Sequence, residues 1–270
     1  MKFSPFLAIV FLAVSVFTFN SYAEEGYEKE VDLPQRTYKA FEKGEKVEYD
    51  IKYGMVTGGS ARFKVEDTTV MIAGKPHYYV TAKGESNRFF DMVFKVRDHH
   101  FSYIDKETLY STIYMRDTRQ GSYDTTETIY FDRRENMVRS GDIEREVPPD
   151  IHGLLSAFYY SRGVDFTQFD ENTKVNVKTF FAGDMFPVGA VVVGEEEVST
   201  SYGTFECLVI EPILIPGRVF REQRDMRMWI TKDKNQIPVK ISSEVLVGRI
   251  RAEVSNTENL KYPLDSRVDN

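Results

Sequence analysis

The arrangement of hydrophobic and polar residues predicts a protein built mostly from β-strands. In residues 46–53 (KVEYDIKY), every second side chain is apolar and those between are charged. Strict alternation is typical of a strand with one buried and one solvated face, because successive strand residues point to opposite sides. Alternation returns in residues 61–66 after a glycine-containing turn, so the two segments predict a β-hairpin.

Similar segments, separated by turns, continue along most of the chain. The predicted strands cover residues 68–72, 77–82, 98–104, 109–115, 121–131, 137–138, 174–181, 188–193, 204–211, 222–231, 237–247 and 249–254. Residues 89–96 form a nearly continuous apolar run, which fits either a strand covered on both faces or a short helix. Strands with one apolar and one polar face indicate an antiparallel sheet that is exposed to solvent on one face.

One stretch, residues 150–162, predicts a helix instead. Its apolar side chains recur three and four positions apart and form a single stripe. Asp150 is the expected N-cap, and Gly163 the expected stop. Arg162 either complements the helix dipole or pairs with a strand carboxylate such as Asp98. A helix this short must bury its stripe against the sheet. The predicted fold is therefore mainly β, a single antiparallel sheet curled into a partly open barrel around one central helix (about residues 150–162).

The first 23 residues have the three features of an export signal. Lys2 is the only charge, residues 6–19 are an apolar run, and Ser21-Tyr22-Ala23 fits a small-x-small cleavage site. The run is too short to span a bilayer, so we expect cleavage after Ala23, a periplasmic location and no transmembrane segment in the mature chain.

The rest of the chain shows no linker, composition shift or fixed-period repeat. We therefore predict a mobile, polar N-terminal lead-in (24–41), a single β-rich domain (42–260) and a flexible tail (261–270).

Composition narrows the range of functions. The net charge is −7 for the whole chain, and removing Lys2 with the signal makes it about −8, so there is no basic surplus to bind nucleic acid. Cys207 is the single cysteine. The chain therefore has no internal disulfide and must depend on its core for stability.

The residues give little support for catalysis. Asp98-His99-His100 is the densest titratable cluster, but adjacent histidines on a strand point to opposite faces and do not share one metal. His152, near Asp150, has no evident partners for a site, and Ser156 lacks the G-x-S-x-G context of an exposed nucleophile. We predict no catalytic residue, metal or cofactor. A hydrolase that uses His99 or His152 stays open as a third alternative.

Several distributed motifs resemble a bacterial exported family catalogued as domain of unknown function 3108. The motifs are Phe41-Glu-Lys-Gly-Glu45 with Tyr49, Arg97-Asp98 with Tyr103, Leu155-Ser156 with Tyr159 and Arg162, Gly203-Thr-Phe205, Trp229-Ile-Thr231, and Ile237-Pro238-Val239. The resemblance covers residues 41–254 and implies a periplasmic, mostly β protein. At the level of fold, a curved sheet around a helix is also similar to the unclosed barrels of periplasmic lipoprotein carriers, which does not fix the function.

The leading functional hypothesis is non-catalytic binding or carriage of an apolar or amphipathic ligand, such as a lipid, an acyl chain or a lipoprotein segment. It follows from the export signal and from a concave sheet rich in aromatic and aliphatic residues. Trp229, with Met226 and Met228, belongs either to such a cavity or to the core. The alternative is a cell-envelope assembly scaffold that binds a partner protein. The residues predicted to line the ligand site are Phe63, Phe94, Phe101, Phe158, Phe180 and Trp229.

Overall fold

The computed structural model describes residues 29–213, 226–244 and 248–268, and these residues form a mainly β protein with one continuous sheet. The predicted signal segment and its cleavage site lie outside the described residues. Within them, neither α-helix has the length and apolar character needed to cross a membrane.

Fifteen strands make up the described sheet. They are β1 (Lys29–Asp32), β2 (Lys46–Tyr53), β3 (Val56–Ile72), β4 (Lys75–Ser86), β5 (Val96–Asp105), β6 (Ser111–Gln120), β7 (Tyr123–Asp132), β8 (Met137–Ser140), β9 (Ile143–Glu146), β10 (Thr173–Phe181), β11 (Asp184–Thr200), β12 (Gly203–Pro212), β13 (Met226–Thr231), β14 (Pro238–Glu244) and β15 (Arg249–Glu258). Two short α-helices, α1 (Arg88–Asp91) and α2 (Leu154–Ser161), and a 3-10 turn (Phe166–Gln168) interrupt them.

The strand order is β1-β10-β11-β12-β13-β14-β15-β2-β3-β4-β5-β6-β7-β8-β9. It contains two meanders of neighbouring strands, β2 to β9 and β10 to β15. Antiparallel pairing of β15 with β2 joins them. β1 and β9, at the two extremes of the order, do not pair with each other, so the described sheet is not closed.

Because the strands alternate in direction, their connections fall at two ends of the sheet. We call the end with the β2–β3 and β4–β5 connections the lower end, and the end with the β3–β4 and β5–β6 connections the upper end. The first residues of β13 and the last residues of β12 also belong to the lower end.

Helix α2 is shorter than the predicted 150–162, and its N-cap is Gly153 instead of Asp150. The preceding residues are used for strand pairing. The backbone N–H of His152 donates to Lys178 O, and that of Phe180 donates to His152 O, both at 2.8 Å. The Asp150 carboxylate instead accepts from Lys178 Nζ at 2.9 Å. Residues committed to the β10 ladder cannot also form the first helical turn.

The helix contacts side chains from distant parts of the sheet. Tyr159 packs on Phe41, with ring centroids 4.6 Å apart, and Phe158 packs on Phe63 of β3 at 5.1 Å. On other sides α2 contacts β5, β6 and β10. Strands so far apart in the order reach one helix only if the sheet is strongly curved.

Two segments near the ends of the chain are tied to the domain. Residues 29–32, predicted to belong to the mobile lead-in, pair in parallel with β10 as β1. Asp32 of this strand accepts from Lys178 Nζ at 3.0 Å. In the predicted tail, the carbonyls of Tyr262 and Pro263 accept from Asn235 Nδ2 at 3.0 and 2.9 Å. These partners lie 27 or more positions away, so local sequence does not reveal them.

The single helical turn α1 overlaps the first three residues of the apolar run 89–96, and β5 begins at its last residue, Val96. Asn87 caps this turn, because its Oδ1 accepts from the backbone N–H groups of Phe89 and Phe90 at 3.1 and 3.0 Å. The cap settles the choice between strand and helix that the run of apolar residues leaves open.

Candidate functional site

An apolar cavity of about 250 Å³ lies beside α2. Its walls come from the helix, from β2, β3 and β10 to β14, and from neighbouring loops. The lining residues are Leu33, Tyr49, Phe63, Leu154, Leu155, Ala157, Phe158, Ser161, Arg162, Phe166, Val175, Val177, Val188, Gly189, Ala190, Ile210, Pro212, Met226, Met228, Ile230, Gln236, Pro238 and Ile241. Pro212 ends β12 and Met226 begins β13, so the cavity extends toward the lower end of the sheet.

Three of the polar side chains in this wall, those of Ser161, Arg162 and Gln236, have protein partners. Ser161 Oγ donates to Phe158 O at 2.9 Å. Gln236 Nε2 donates to Tyr38 Oη and to the carbonyls of Arg162 and Val164 at 2.7–2.8 Å. The cavity therefore offers an apolar environment in which these groups keep their protein partners.

Arg162 forms a buried ion pair at the edge of the cavity. Its Nη1 and Nη2 donate to the two carboxylate oxygens of Glu45 at 2.6 and 3.0 Å, and Nε donates to Asn235 O at 2.9 Å. Both charged side chains are almost fully buried. The nearby Glu45 carboxylate keeps the pKa of Arg162 raised despite its desolvation. The strand carboxylate that Arg162 contacts is thus Glu45, just before β2, and not Asp98.

Two of the six predicted lining residues, Phe63 and Phe158, line this cavity. Phe180 is fully buried in the core. Phe94 packs on Gly121, and Phe101 stacks on Tyr79 with centroids 6.3 Å apart.

Trp229, the remaining predicted lining residue, lies on the other face of β13 from Met228. Its Nε1 donates to Glu196 Oε2 at 2.7 Å, and Lys240 Nζ lies 4.9 Å from the ring centroid. Met226 and Met228, two residues apart on one face of the strand, line the cavity. Alternation along β13 is the signal that separates them from Trp229.

A second cluster, polar and titratable, lies on the buried face of β5 to β8. Asp98 Oδ2 accepts from Gln120 Nε2 at 2.7 Å, while Oδ1 has no hydrogen-bond donor among the described residues. Burial raises the pKa of Asp98 to about 7. Arg116 Nε lies 2.9 Å from Glu127 Oε2, and its guanidinium lies 4.3 Å from the Phe181 ring centroid. This region of the interior contains charged side chains, whereas the cavity beside α2 is lined mainly by apolar ones.

The histidines that the sequence singled out are not arranged as a catalytic or metal site. His99 pairs with Glu85 at 3.0 Å, whereas His100 is buried and contacts Tyr114 Oη through Nδ1 at 2.5 Å. Burial lowers the pKa of His100 to about 3. In the part of the chain that the structure describes, no three His, Cys, Asp or Glu side chains form a metal-binding group.

His152 has one feature of a catalytic base, because its Nδ1 lies 3.2 Å from Ser156 Oγ. Ser156 is fully buried, however, and its Oγ donates to Gly153 O at 3.0 Å while accepting from Gly153 N at 3.1 Å. Burial also lowers the pKa of His152 to about 3. The geometry is that of a hydrogen-bonded helix start in which the Ser156 hydroxyl is buried.

Cys207 also lacks the environment of a reactive thiol. It is buried, and its burial raises the pKa of the thiol to about 12. A thiol with so high a pKa has almost no thiolate near neutral pH.

Comparison with known proteins places the chain among families without an assigned function. The model of the family described as "Protein of unknown function (DUF3108)" matches residues 48–255. No curated protein matches the chain.

Two solved structures are similar to this one. The first is a β-barrel-like protein of domain of unknown function DUF1849 from Brucella abortus. It has 8% sequence identity and a TM-score of 0.50, and the match covers 82% of this chain and 98% of that one. The second, from Bacteroides fragilis, is assigned as exported with a YmcC-like fold. It has 10% identity and a TM-score of 0.34, with 83% and 99% of the two chains covered. The first comparison supports a barrel-like sheet.

Proposed function

The chain belongs to the DUF3108 family, whose function is unknown, and we propose that this member binds an apolar or amphipathic ligand beside α2 without catalysing a reaction. The ligand would be a lipid, an acyl chain or a lipoprotein segment. The proposal places the protein in the bacterial periplasm, as a partly open barrel with α2 in its concavity.

The observation that carries this proposal is the cavity of about 250 Å³ with apolar walls. For comparison, an apolar cavity of about 150 Å³ in another protein stays dry and binds benzene. A larger apolar cavity therefore favours a hydrocarbon ligand, which gains about 0.8 kcal/mol for each methylene group that it buries. Because most of the lining is aliphatic or aromatic, and Ser161, Arg162 and Gln236 have protein partners, the buried part of the ligand should be mainly hydrocarbon.

Several lining residues are only partly buried, including Leu33, Leu154, Phe158, Ala190 and Met228. They supply a route by which a polar head group stays in solvent while a chain enters. This arrangement supports an amphipathic ligand over one that is apolar throughout.

Partner binding by strand addition has less support. Strand β9, at one extreme of the strand order, is four residues long and exposes charged side chains. Both features disfavour pairing of this edge with another chain. The outer edge of β10 pairs with β1 and with His152.

Titration with a fluorescent fatty acid, 11-(dansylamino)undecanoic acid, tests the proposal. The wild type should bind it with saturation. Ala157→Phe, which fills the cavity, and Met228→Glu, which places a carboxylate in it, should each weaken binding at least about tenfold. Met71→Glu is the matched control, because Met71 is 61% exposed and belongs to the upper end.

Organic extraction of the protein purified from periplasm, followed by mass spectrometry, identifies a natural ligand. Folding of each variant is checked by circular dichroism. Folded wild type that neither yields an extractable lipid nor binds the probe, or folded Met228→Glu that binds as the wild type does, would contradict the proposal.

A further inference from the structure

The lower end of the sheet carries a group of exposed apolar side chains that the cavity does not explain. We call these five residues the apolar rim: Met55 (97% exposed), Val56 (54%), Phe89 (64%), Met92 (77%) and Val93 (80%). Met55 and Val56 belong to the β2–β3 hairpin, and the other three to the β4–β5 connection. Large apolar side chains exposed together are unusual on a soluble monomer and mark a binding surface.

The two connections are held next to each other. Asn87 Nδ2 donates to Thr57 O at 2.8 Å, and Asn87 N donates to Gly58 O at 2.9 Å. The five exposed side chains therefore belong to adjacent connections at the same end of the sheet.

The β4–β5 connection is also held in a fixed conformation. The Asp91 carboxylate accepts from Arg97 Nη1 and Nη2 at 3.0 and 2.6 Å and from Ser86 Oγ. These bonds keep the pKa of Asp91 at about 2, so the network persists at physiological pH. An anchored turn that displays Phe89 and Met92 outward is suited to enter an apolar phase.

Two positively charged side chains lie beside the rim without an ion-pair partner in the described part of the chain. Arg88 and Lys95 are exposed and form no ion pair with any described residue, whereas the Asp91 carboxylate is paired with Arg97 at 2.6 Å. Apolar side chains flanked by unpaired cations are the composition of surfaces that enter the interface of an anionic bilayer.

We propose that the apolar rim docks this protein on the surface of a bilayer that contains anionic phospholipids. Met55, Phe89 and Met92 enter the boundary between head groups and acyl chains, and Arg88 and Lys95 contact lipid phosphates. This function goes beyond the proposed ligand binding and does not require it. It places the lower end of the sheet, toward which the cavity extends, against the membrane.

Vesicle flotation tests the proposal. The protein is expressed with its own N-terminal segment, purified from the periplasmic fraction, and mixed with vesicles of phosphatidylethanolamine and phosphatidylglycerol, or of phosphatidylcholine alone. The wild type should float with the anionic vesicles, and added salt should weaken the binding.

The decisive variant is the triple substitution Met55→Ser/Phe89→Ser/Met92→Ser, which should lower the partition coefficient by about tenfold or more. The matched control is Met71→Ser/Tyr130→Ser/Val268→Ser, which removes three exposed apolar side chains outside the rim and should bind as the wild type does. Arg88→Ser/Lys95→Ser should reduce binding to anionic vesicles and remove most of its salt dependence.

Equal loss in both triple variants, or no flotation of folded wild type, would overturn the proposal. So would a stable dimer that the rim triple dissociates without any wild-type binding to vesicles, because the rim would then join two copies of the chain. Met228→Glu, which acts on the cavity, should still float with vesicles, so failure of ligand binding and failure of membrane docking are distinguishable.

Discussion

The buried pair of Glu45 and Arg162 should make an unusually large coupled contribution to stability. Each side chain has its partner at 2.6–3.0 Å and is nearly inaccessible to water. Glu45→Leu leaves a buried guanidinium that cannot lose its proton and has no carboxylate partner, although Asn235 O still accepts from its Nε. We expect this variant to lose about 3–5 kcal/mol of unfolding free energy.

When Arg162 is removed instead, the unfolding free energy should depend on pH in a different way. In Arg162→Met the isolated Glu45 carboxyl can take up a proton in the folded state. The folded form then holds a proton that the unfolded form releases as the pH rises. The unfolding free energy of this variant should therefore fall as the pH rises above the ordinary range of a glutamate carboxyl, whereas that of Glu45→Leu should not follow this trend.

The double variant Glu45→Leu/Arg162→Met removes both charges and leaves no unpaired ion. Its unfolding free energy should be much higher than the sum of the two single losses predicts, and close to that of the wild type. Urea unfolding, followed by fluorescence of the single tryptophan, Trp229, gives the three free energies. If the single losses add to the double loss within about 0.5 kcal/mol, the two residues are not coupled and the reasoning is refuted.

Three further predictions concern buried titratable groups and one glycine. The pKa of Asp98 is about 7, against an ordinary value of 3.8, so the unfolding free energy declines as the pH rises between these values. In urea unfolding, the free energy of Asp98→Asn should exceed that of the wild type by about 2–4 kcal/mol near pH 8, with little difference near pH 4. The pKa of His152 is about 3, against an ordinary value of 6.5, so the unfolding free energy decreases as the pH falls below about 6.5. In His152→Asn this decrease should be smaller by up to about 1.4 kcal/mol for each pH unit. An unchanged dependence of the unfolding free energy on pH would contradict this cause. A Cβ on Gly163 would lie 2.3 Å from Tyr38 O, so Gly163→Ala should cost about 1–3 kcal/mol in thermal unfolding, and an unchanged Tm would contradict this close approach.

Local alternation predicts much of the sheet. Residues 46–53 form β2 with the predicted boundaries, because their period of two is unbroken. The start of α2 is not predictable from Asp150-Ile-His152, because backbone pairing with β10 competes with the first helical turn. The parallel pairing of β1 is equally hidden, since its partner lies more than 140 positions away.

The candidate site is harder to predict, because alternation separates the two faces of a strand without showing which one is inside. In β5 the buried face carries Asp98, His100 and Ser102, while Phe101 and Tyr103 are on the outer face. Hydrophobicity alone therefore assigns Phe101 to the wrong side of its strand for lining an interior cavity. Phe63 and Phe158 lie where the apolar face and the buried face coincide.

The pairing of β15 with β2 has a consequence for the order in which the protein is made. Tyr49 and Val254 are opposite each other, about 200 residues apart in the chain. At about 5–20 residues per second, the ribosome needs roughly 10–40 s to complete β15 after β2 has been synthesised. Throughout that interval one edge of β2 has no native partner, and an unpaired edge readily joins other chains. Pairing over so long a separation is also slow to form. Newly made chains should therefore depend on a holding chaperone until their last strand is available.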